Sequence, residues 1–194
     1  MGIQAAKMAL GLGAEITIFD INPHCLEYLD DIFGGRVTTL MSNYTNIAET
    51  VEKAHMVIGA VLVPGAKAPR LVTLEMVKKM ISGAVIVDVA VDQGGCVEET
   101  KPTTYEHPTY TIHGVTFYCV ANIPGAVART STFALTNATF PYVYKLANLG
   151  APNAFKEDLA LARGANLYHG EVSHQEVAIS LNLKYTPLNK LISN

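Results

Sequence analysis

Two acids stand where chains of alternating strand and helix keep their chemistry. Asp20 closes the apolar run Ile16-Thr17-Ile18-Phe19, and Asp92 follows the run Ala84 to Val89 within Val91-Asp92-Gln93-Gly94-Gly95. Gly2 opens a segment of small and apolar residues ahead of Asp20, at roughly the ~20-residue separation found between a phosphate-binding turn and a ribose-binding acid. Such a pair serves dinucleotide binding: N–H groups at a helix start meet the pyrophosphate, and an acid ending the second strand accepts from ribose hydroxyls. Gly2 takes the place of the third glycine of G-x-G-x-x-G, with the first two glycines and the strand before them absent. An acid ending a strand is more often a turn or cap residue, and on pattern alone that reading of Asp20 stays open. Asp92 follows a buried strand, and open α/β sheets bind ligands outside the carboxyl ends of their strands. The two glycines after it would let the backbone approach a ring closely. The alternative for Asp92 is a surface turn in which the carboxylate bonds its own backbone.

Other polar residues carry less. The six histidines show no H-x-x-x-H or comparable spacing, so no metal site is expected. His107 and His113 fall in a Pro/Thr/Tyr-rich loop and are expected to be solvated. Cys96 reads as a small packing residue, because no basic neighbour would lower its pKa. Cys25, Cys96 and Cys119 are odd in number and widely spaced, which fits a reduced intracellular compartment better than a disulfide framework. Tyr142 and Tyr144 read as core or interface.

The elements that must position these residues follow from periodicity. Gly2 to Leu12 has helical spacing, Ile16 to Asp20 is a strand, and Pro23 opens a helix with Leu26, Leu29 and Phe33 on one face. Val37 to Leu40 suits a strand and Ile47 to Lys53 a short helix. Met56 to Val61 and Ala84 to Val89 read as parallel strands buried on both faces. Val63 to Pro69 is a loop, Leu74 to Ile81 a helix, and Val115 to Val120 the last strand. After Thr130 only helices are expected: Phe133 to Leu149 with a kink near Pro141, Asp158 to Ala165, and His174 to Leu181 with Ser173 and Glu176 in a capping box. With 194 residues, 49% hydrophobic and 16% charged, the chain holds a large packed core, and a net charge of -3 gives no reason to expect nucleic acid or an anionic membrane. The N-terminal residues lack a basic n-region, so no signal peptide is expected, and no apolar stretch is long enough for a membrane span.

Several segments together resemble one family. AAKMALGLGAEITIFDIN, IGAVLVPGAKAPRLV, IVDVAVDQGGCVE, the PTTY run at Pro102 to Tyr105, and YCVANIPGAV followed by TSTFALTNATFPY look like alanine dehydrogenase. The likeness runs from Gly2 nearly to the C-terminus. The soluble nucleotide-binding part of proton-pumping transhydrogenase shares the plan but fits V-D-Q-G-G and VLVPGAKAP less well. The resemblance implies a doubly wound Rossmann-type parallel sheet lacking its first strand, over residues 1–128. Residues 129–194 would be an all-helical tail that completes a catalytic domain. It implies NAD-dependent oxidation of L-alanine to pyruvate and ammonia, a cytoplasmic location, and a hexamer when full length.

Position by position, the resemblance has Asp20 bind the adenosine ribose, with Ser42 beside the adenine. Val61 and Leu62 would pass under the cofactor, and Val89, Ala90, Val91 and Asp92 would line its nicotinamide end. Val120, Ala121, Asn122 and Ile123 would close over it, with Asn122 near the amide and substrate and Asp92 as the catalytic acid. Cys25 stands where many members carry a basic residue, a charge that Lys101 would supply instead. Lys145 and Leu149 occupy positions that hold metal ligands in some relatives, so no metal is carried over. The family's N-terminal half, with its catalytic histidine and substrate-binding lysine and arginine, is missing. The chain alone is therefore expected neither to oxidise alanine nor to bind NAD well. A transhydrogenase component and a non-enzymatic dinucleotide-binding remnant are the alternative readings.

Overall fold

A computed structural model of the protein describes residues 1–192. The chain forms two compact units: Met1–Leu62 with Ala68–Ala121, and Val63–Lys67 with the chain from Asn122 onward.

In the first unit, strand and helix alternate as the apolar runs require. The order is α1 (Gly2–Gly11), β1 (Thr17–Asp20), α2 (Pro23–Phe33), β2 (Thr38–Met41), α3 (Tyr44–Val51), β3 (Met56–Gly59), α4 (Leu74–Lys79), β4 (Val85–Asp88), β5 (Thr109–Ile112) and β6 (Val115–Tyr118). The starts of α2, α3 and α4 are set by side-chain caps. Asn22 accepts from the His24 N–H ahead of Pro23, Asn43 from Asn46, and Thr73 from Met76. Helix α2 ends at Gly34, whose φ of 59° is the left-handed stop that glycine adopts without penalty.

The strands form two sheets. β1 pairs with β2 in parallel, and β3-β4-β6-β5 form a second sheet in which only β5 runs antiparallel. Helix α2 links the parallel neighbours β1 and β2, and α4 links β3 and β4, while β4 reaches β6 through a 3₁₀ turn and β5; the result is a mixed α/β arrangement dominated by parallel strands. The main core surrounds β4 and β6, where Ile86, Val115, Phe117 and Cys119 are fully buried. A smaller one joins Ala6 of α1 with Leu29, Phe33 and Val37.

Two expectations change here. β3 is not buried on both faces: Met56 is 56% and Ile58 39% exposed, because β3 is an edge strand bonded only to β4. The stretch assigned to a loop holds β5, joined to β6 through His113 and Gly114, both left-handed at φ 50° and 79°. That conformation at both central residues is what a two-residue hairpin needs.

The second unit has a short 3₁₀ turn (Ile123–Val127), then α5 (Ala128–Glu157), α6 (Leu159–Gly164), β7 (Leu167–Tyr168), β8 (Glu171–Val172), α7 (Gln175–Leu181) and α8 (Leu188–Leu191). The tail is thus helical except for one small hairpin, turned by His169 and Gly170. The break in α5 is not at Pro141: the non-helical residue is Gly150, at φ 70° and ψ 156°. Pro152 lies two residues on, in the first turn after the break, where its missing N–H costs nothing. Ser173 and Glu176 form no capping box. The buried Ser173 hydroxyl donates to the Ala165 carbonyl at 2.7 Å, and His174 takes the cap position.

Candidate dinucleotide site

The first-unit candidates gather at the carboxyl ends of its parallel strands. Asp20 is the last residue of β1, and its carbonyl accepts the Ser42 N–H at 2.9 Å, which holds those two residues side by side. Its Oδ1 accepts from the Asn22 N–H at 2.8 Å, so the turn role left open by the pattern is present. A carboxylate has acceptor sites to spare after one such bond. Gly2 begins α1 against Ala60, just past β3. A Cβ at Gly2 would lie 3.6 Å from that of Ala60, so this contact would admit alanine.

β3 and β4 end together, with the Val89 N–H donating to the Gly59 carbonyl at 2.8 Å. Beyond them Val61 is half-buried and Leu62 is 71% exposed. Ala90 and Val91 are buried, and Val91–Gln93 makes one 3₁₀ turn with Asp92 exposed at its tip. Asp92 makes no side-chain hydrogen bond or ion pair among the described residues, so the self-bonded turn is not what forms. Gly94 and Gly95, at φ 91° and 79°, are demanded by the chain reversal itself. Beside Asp92, Gln93 Oε1 is buried with no hydrogen-bond partner among the described residues. A buried acceptor in that state calls for a donor.

The residue that sequence reasoning missed is Asp88, the last of β4 and fully buried. Its Oδ1 accepts from the Ala90 N–H at 3.0 Å, and its Oδ2 from Cys96 N–H at 2.9 Å, Val97 N–H at 3.2 Å and the Thr100 hydroxyl at 2.7 Å. Glycine at two positions leaves room for this carboxylate. A Cβ on Gly59 would run into Cys96 Sγ and approach Asp88 Oδ1 at 3.3 Å, and one on Gly95 would meet Oδ2 at 2.7 Å. The signal was an acid ending an otherwise apolar strand, with no cation nearby in sequence.

Burial, and then the charge of Asp88, push the Cys96 thiol up to about 12. It stays protonated at neutral pH, as befits a packing residue. Lys101 is exposed, and its N–H donates to the Tyr110 hydroxyl at 2.8 Å. That hydroxyl donates to the Glu99 carbonyl at 3.0 Å. Burial raises the Tyr110 pKa, keeping its proton in place for that bond. Two steps on, Thr103 exchanges hydrogen bonds with Cys119 and Ala121, so the Lys101 segment runs beside Val120 and Ala121. Asn122, in the left-handed region at φ 57°, and Ile123 open the second unit. Cys25 is exposed on α2. Lys145 makes an ion pair of 2.6 Å with Asp158. No group of three or more His, Cys, Asp or Glu able to hold a metal ion occurs among the described residues, nor any helix long and apolar enough to cross a membrane.

Several known proteins are similar to this chain over most of its length. The family profile "Alanine dehydrogenase/PNT, C-terminal domain" matches residues 1–175. Alanine dehydrogenase of Methanococcus maripaludis is 55% identical over all of this chain, which covers 52% of that protein. Alanine dehydrogenase of Staphylococcus epidermidis is 56% identical over 96% of the chain and 51% of its own length. The chain thus spans about half the length of the curated relatives it matches. A solved L-alanine dehydrogenase superposes with a TM-score of 0.81 at 52% identity, over 93% of this chain and 50% of that one. A transhydrogenase from Sinorhizobium meliloti gives 0.66 at 28% identity, over 90% and 46%. This chain belongs to the alanine dehydrogenase/PNT family and corresponds to its C-terminal domain.

Proposed function

We propose that the chain is the nucleotide-binding part of an alanine dehydrogenase, which converts L-alanine, NAD⁺ and water to pyruvate, ammonium, NADH and a proton. The observation that carries this reading is the exposed, unbonded Asp92 carboxylate beyond β4, beside an orphaned acceptor on Gln93. Identity of 55% with alanine dehydrogenases, against 28% with the transhydrogenase, supports alanine as the substrate.

When bound, the nicotinamide ring supplies the acceptor for the hydride from the alanine α-carbon. Asp20 accepts hydrogen bonds from the adenosine ribose, and its charge disfavours a 2′-phosphate, which selects NAD over NADP. Ser42 sits by the adenine. Val61, Leu62, Val89, Ala90 and Val91 offer an apolar floor, and Lys101 a positive charge for the phosphate or ribose. Val120, Ala121, Asn122 and Ile123 close the nicotinamide end, with Gln93 Oε1 taking a carboxamide N–H. Gly2 stands at the pyrophosphate end, at the start of α1. Asp92 orients the substrate amine and carries protons as amine gives way to carbonyl. Residues 129–194 complete the substrate-binding part of a longer, cytoplasmic, hexameric enzyme.

The test is a chimera in which this chain replaces the matching half of the Methanococcus maripaludis enzyme. It should reduce NAD⁺ only when L-alanine is present. Asp92→Asn, which keeps the shape, should lower its turnover by ~10²–10⁴-fold with little change in NADH affinity or melting temperature. Near-normal turnover in that variant would remove Asp92 from the chemistry.

A further inference from the structure

We propose that Asp88 is the positioning residue of this site: its buried carboxylate fixes the turn that presents Asp92. The functional half of this inference rests on the reading of Asp92 given above, while the hold on the turn stands on geometry alone.

The turn leaves β4 at Asp88 and returns along residues 96–98. The returning segment is held from outside: Leu71 and Val72 N–H groups donate to the Cys96 carbonyl, Glu98 N–H donates to the Val72 carbonyl, and the Arg70 guanidinium donates to the Val97 carbonyl. The departing segment is held by β3 through Val89. Asp88 joins the two. Oδ1 takes the Ala90 N–H on the outgoing side and the Cys96 thiol on the return, and Oδ2 takes the Cys96 N–H, the Val97 N–H and the Thr100 hydroxyl on the return.

A buried carboxylate is costly unless donors surround it, and a well-packed apolar residue would stabilise the strand end at least as well. The inward-facing N–H groups, though, require an acceptor on both sides at once. An asparagine amide offers one acceptor oxygen only, so Asp88→Asn must strand donors on one side of the turn. Gly59 and Gly95 flank the same carboxylate, and a side chain at either would crowd it. Asp92 lies between the two anchored sides and makes no bond to Asp88, so the bonded path from Asp88 to Asp92 runs through the turn, and the Thr100 variants probe it without a change of charge.

The test uses the 194-residue chain, with amide exchange and ¹⁵N–¹H spectra read residue by residue. Asp88→Asn should speed exchange across residues 90–97 at least about tenfold, equivalent to ~1.4 kcal/mol. It should also shift the Asp92 amide signal while β6 and α4 change little. Thr100→Val, which deletes one hydroxyl, should loosen the same residues about threefold, and Thr100→Ser, which restores it, should return them to the native rate. A role confined to core packing would speed exchange throughout β4 and β6, and would leave the two Thr100 variants alike. That result, or unchanged exchange at residues 90–97 in Asp88→Asn, overturns the proposal. If Asp88→Asn no longer melts cooperatively, the Thr100 pair decides alone. The catalytic reading fails separately, through Asp92→Asn in the chimera, and leaves the exchange result intact.

Discussion

Asp20, Asp88 and Asp92 are three carboxylates at strand ends or just beyond them, and their surroundings divide the work. Asp88 is saturated by donors and fully buried, Asp20 is half-buried with one oxygen on the Asn22 N–H, and Asp92 is exposed and unbonded. A group whose bonds are all internal serves the fold, and one with open acceptor sites is free to meet a ligand. On the proposed reading, Asp20 would bind ribose hydroxyls through charge-assisted hydrogen bonds, each worth ~1.5–3 kcal/mol. In the chimera, Asp20→Ala should therefore weaken NADH binding at least about tenfold by fluorescence titration. Full NADH affinity in that variant would leave Asp20 with only its turn to make. The sequence could distinguish neither Asp88 nor the true use of Gly94 and Gly95. It displays an acid and two glycines, but not the inward-turned N–H groups they serve.

At the scale of elements, most first-unit strands and helices were legible within a residue or two, because burial decides them, whereas α3 begins three residues before the expected Ile47 and α5 runs well beyond Phe133–Leu149 at both ends. The two hairpins were not legible. Each turns on a His-Gly pair, His113-Gly114 and His169-Gly170, and histidine is a less familiar left-handed residue than asparagine. Thr109–Ile112 nevertheless alternates exposed Thr109 and Thr111 with half-buried Tyr110 and Ile112, a period-2 pattern that Pro/Thr/Tyr composition disguised. Pro141 misled for the opposite reason: a proline within a long helix can be carried, whereas Gly150 in an extended left-handed conformation cannot. Past that break, Asp158 caps α6 and pairs with Lys145 of α5. The Lys145 hydrogen bond first, and the Leu161 N–H next, hold the Asp158 carboxyl below the ordinary range, while Asp158 raises Lys145. A lowered acid contributes fully above its unfolded value of ~3.9 and loses that contribution as pH falls through its folded value. A raised lysine contributes fully below ~10.4 and loses it as pH rises through its own folded value. The α5–α6 junction should thus be firmest between about pH 4 and 10. ¹³C titration of the Asp158 carboxyl should move upward in Lys145→Met, and an unmoved titration would show the pair to be idle.

At the scale of the molecule, the first unit is built around two cores rather than one. The β1–β2 ribbon rests on α1 and α2 through Ala6, Leu29, Phe33 and Val37, whereas β3-β4-β6-β5 surrounds the larger cluster. A two-stranded ribbon with so few buried side chains belongs to the low-stability end of a fold. Its amides at Thr17–Asp20 and Thr38–Met41 should exchange faster than those of β4 and β6. The proposed ligand contacts draw on both parts: Asp20 and Ser42 from the ribbon, Val61 and Val89 to Asp92 from the larger sheet. A dinucleotide binding both must couple them, since whatever opens the ribbon also releases the ligand. Linkage sets the scale, ~2.7 kcal/mol at a free concentration of 100 times Kd. In the chimera, saturating NADH should accordingly slow exchange of β1 and β2 by up to about a hundredfold, and Asp20→Ala should abolish that protection. The same variant should spare most of the protection at the ends of β3 and β4, where the nicotinamide half of the ligand would lie. Protection confined to β3 and β4 in the unsubstituted protein would mean that the ligand does not reach Asp20, and that the ribbon plays no part in holding it.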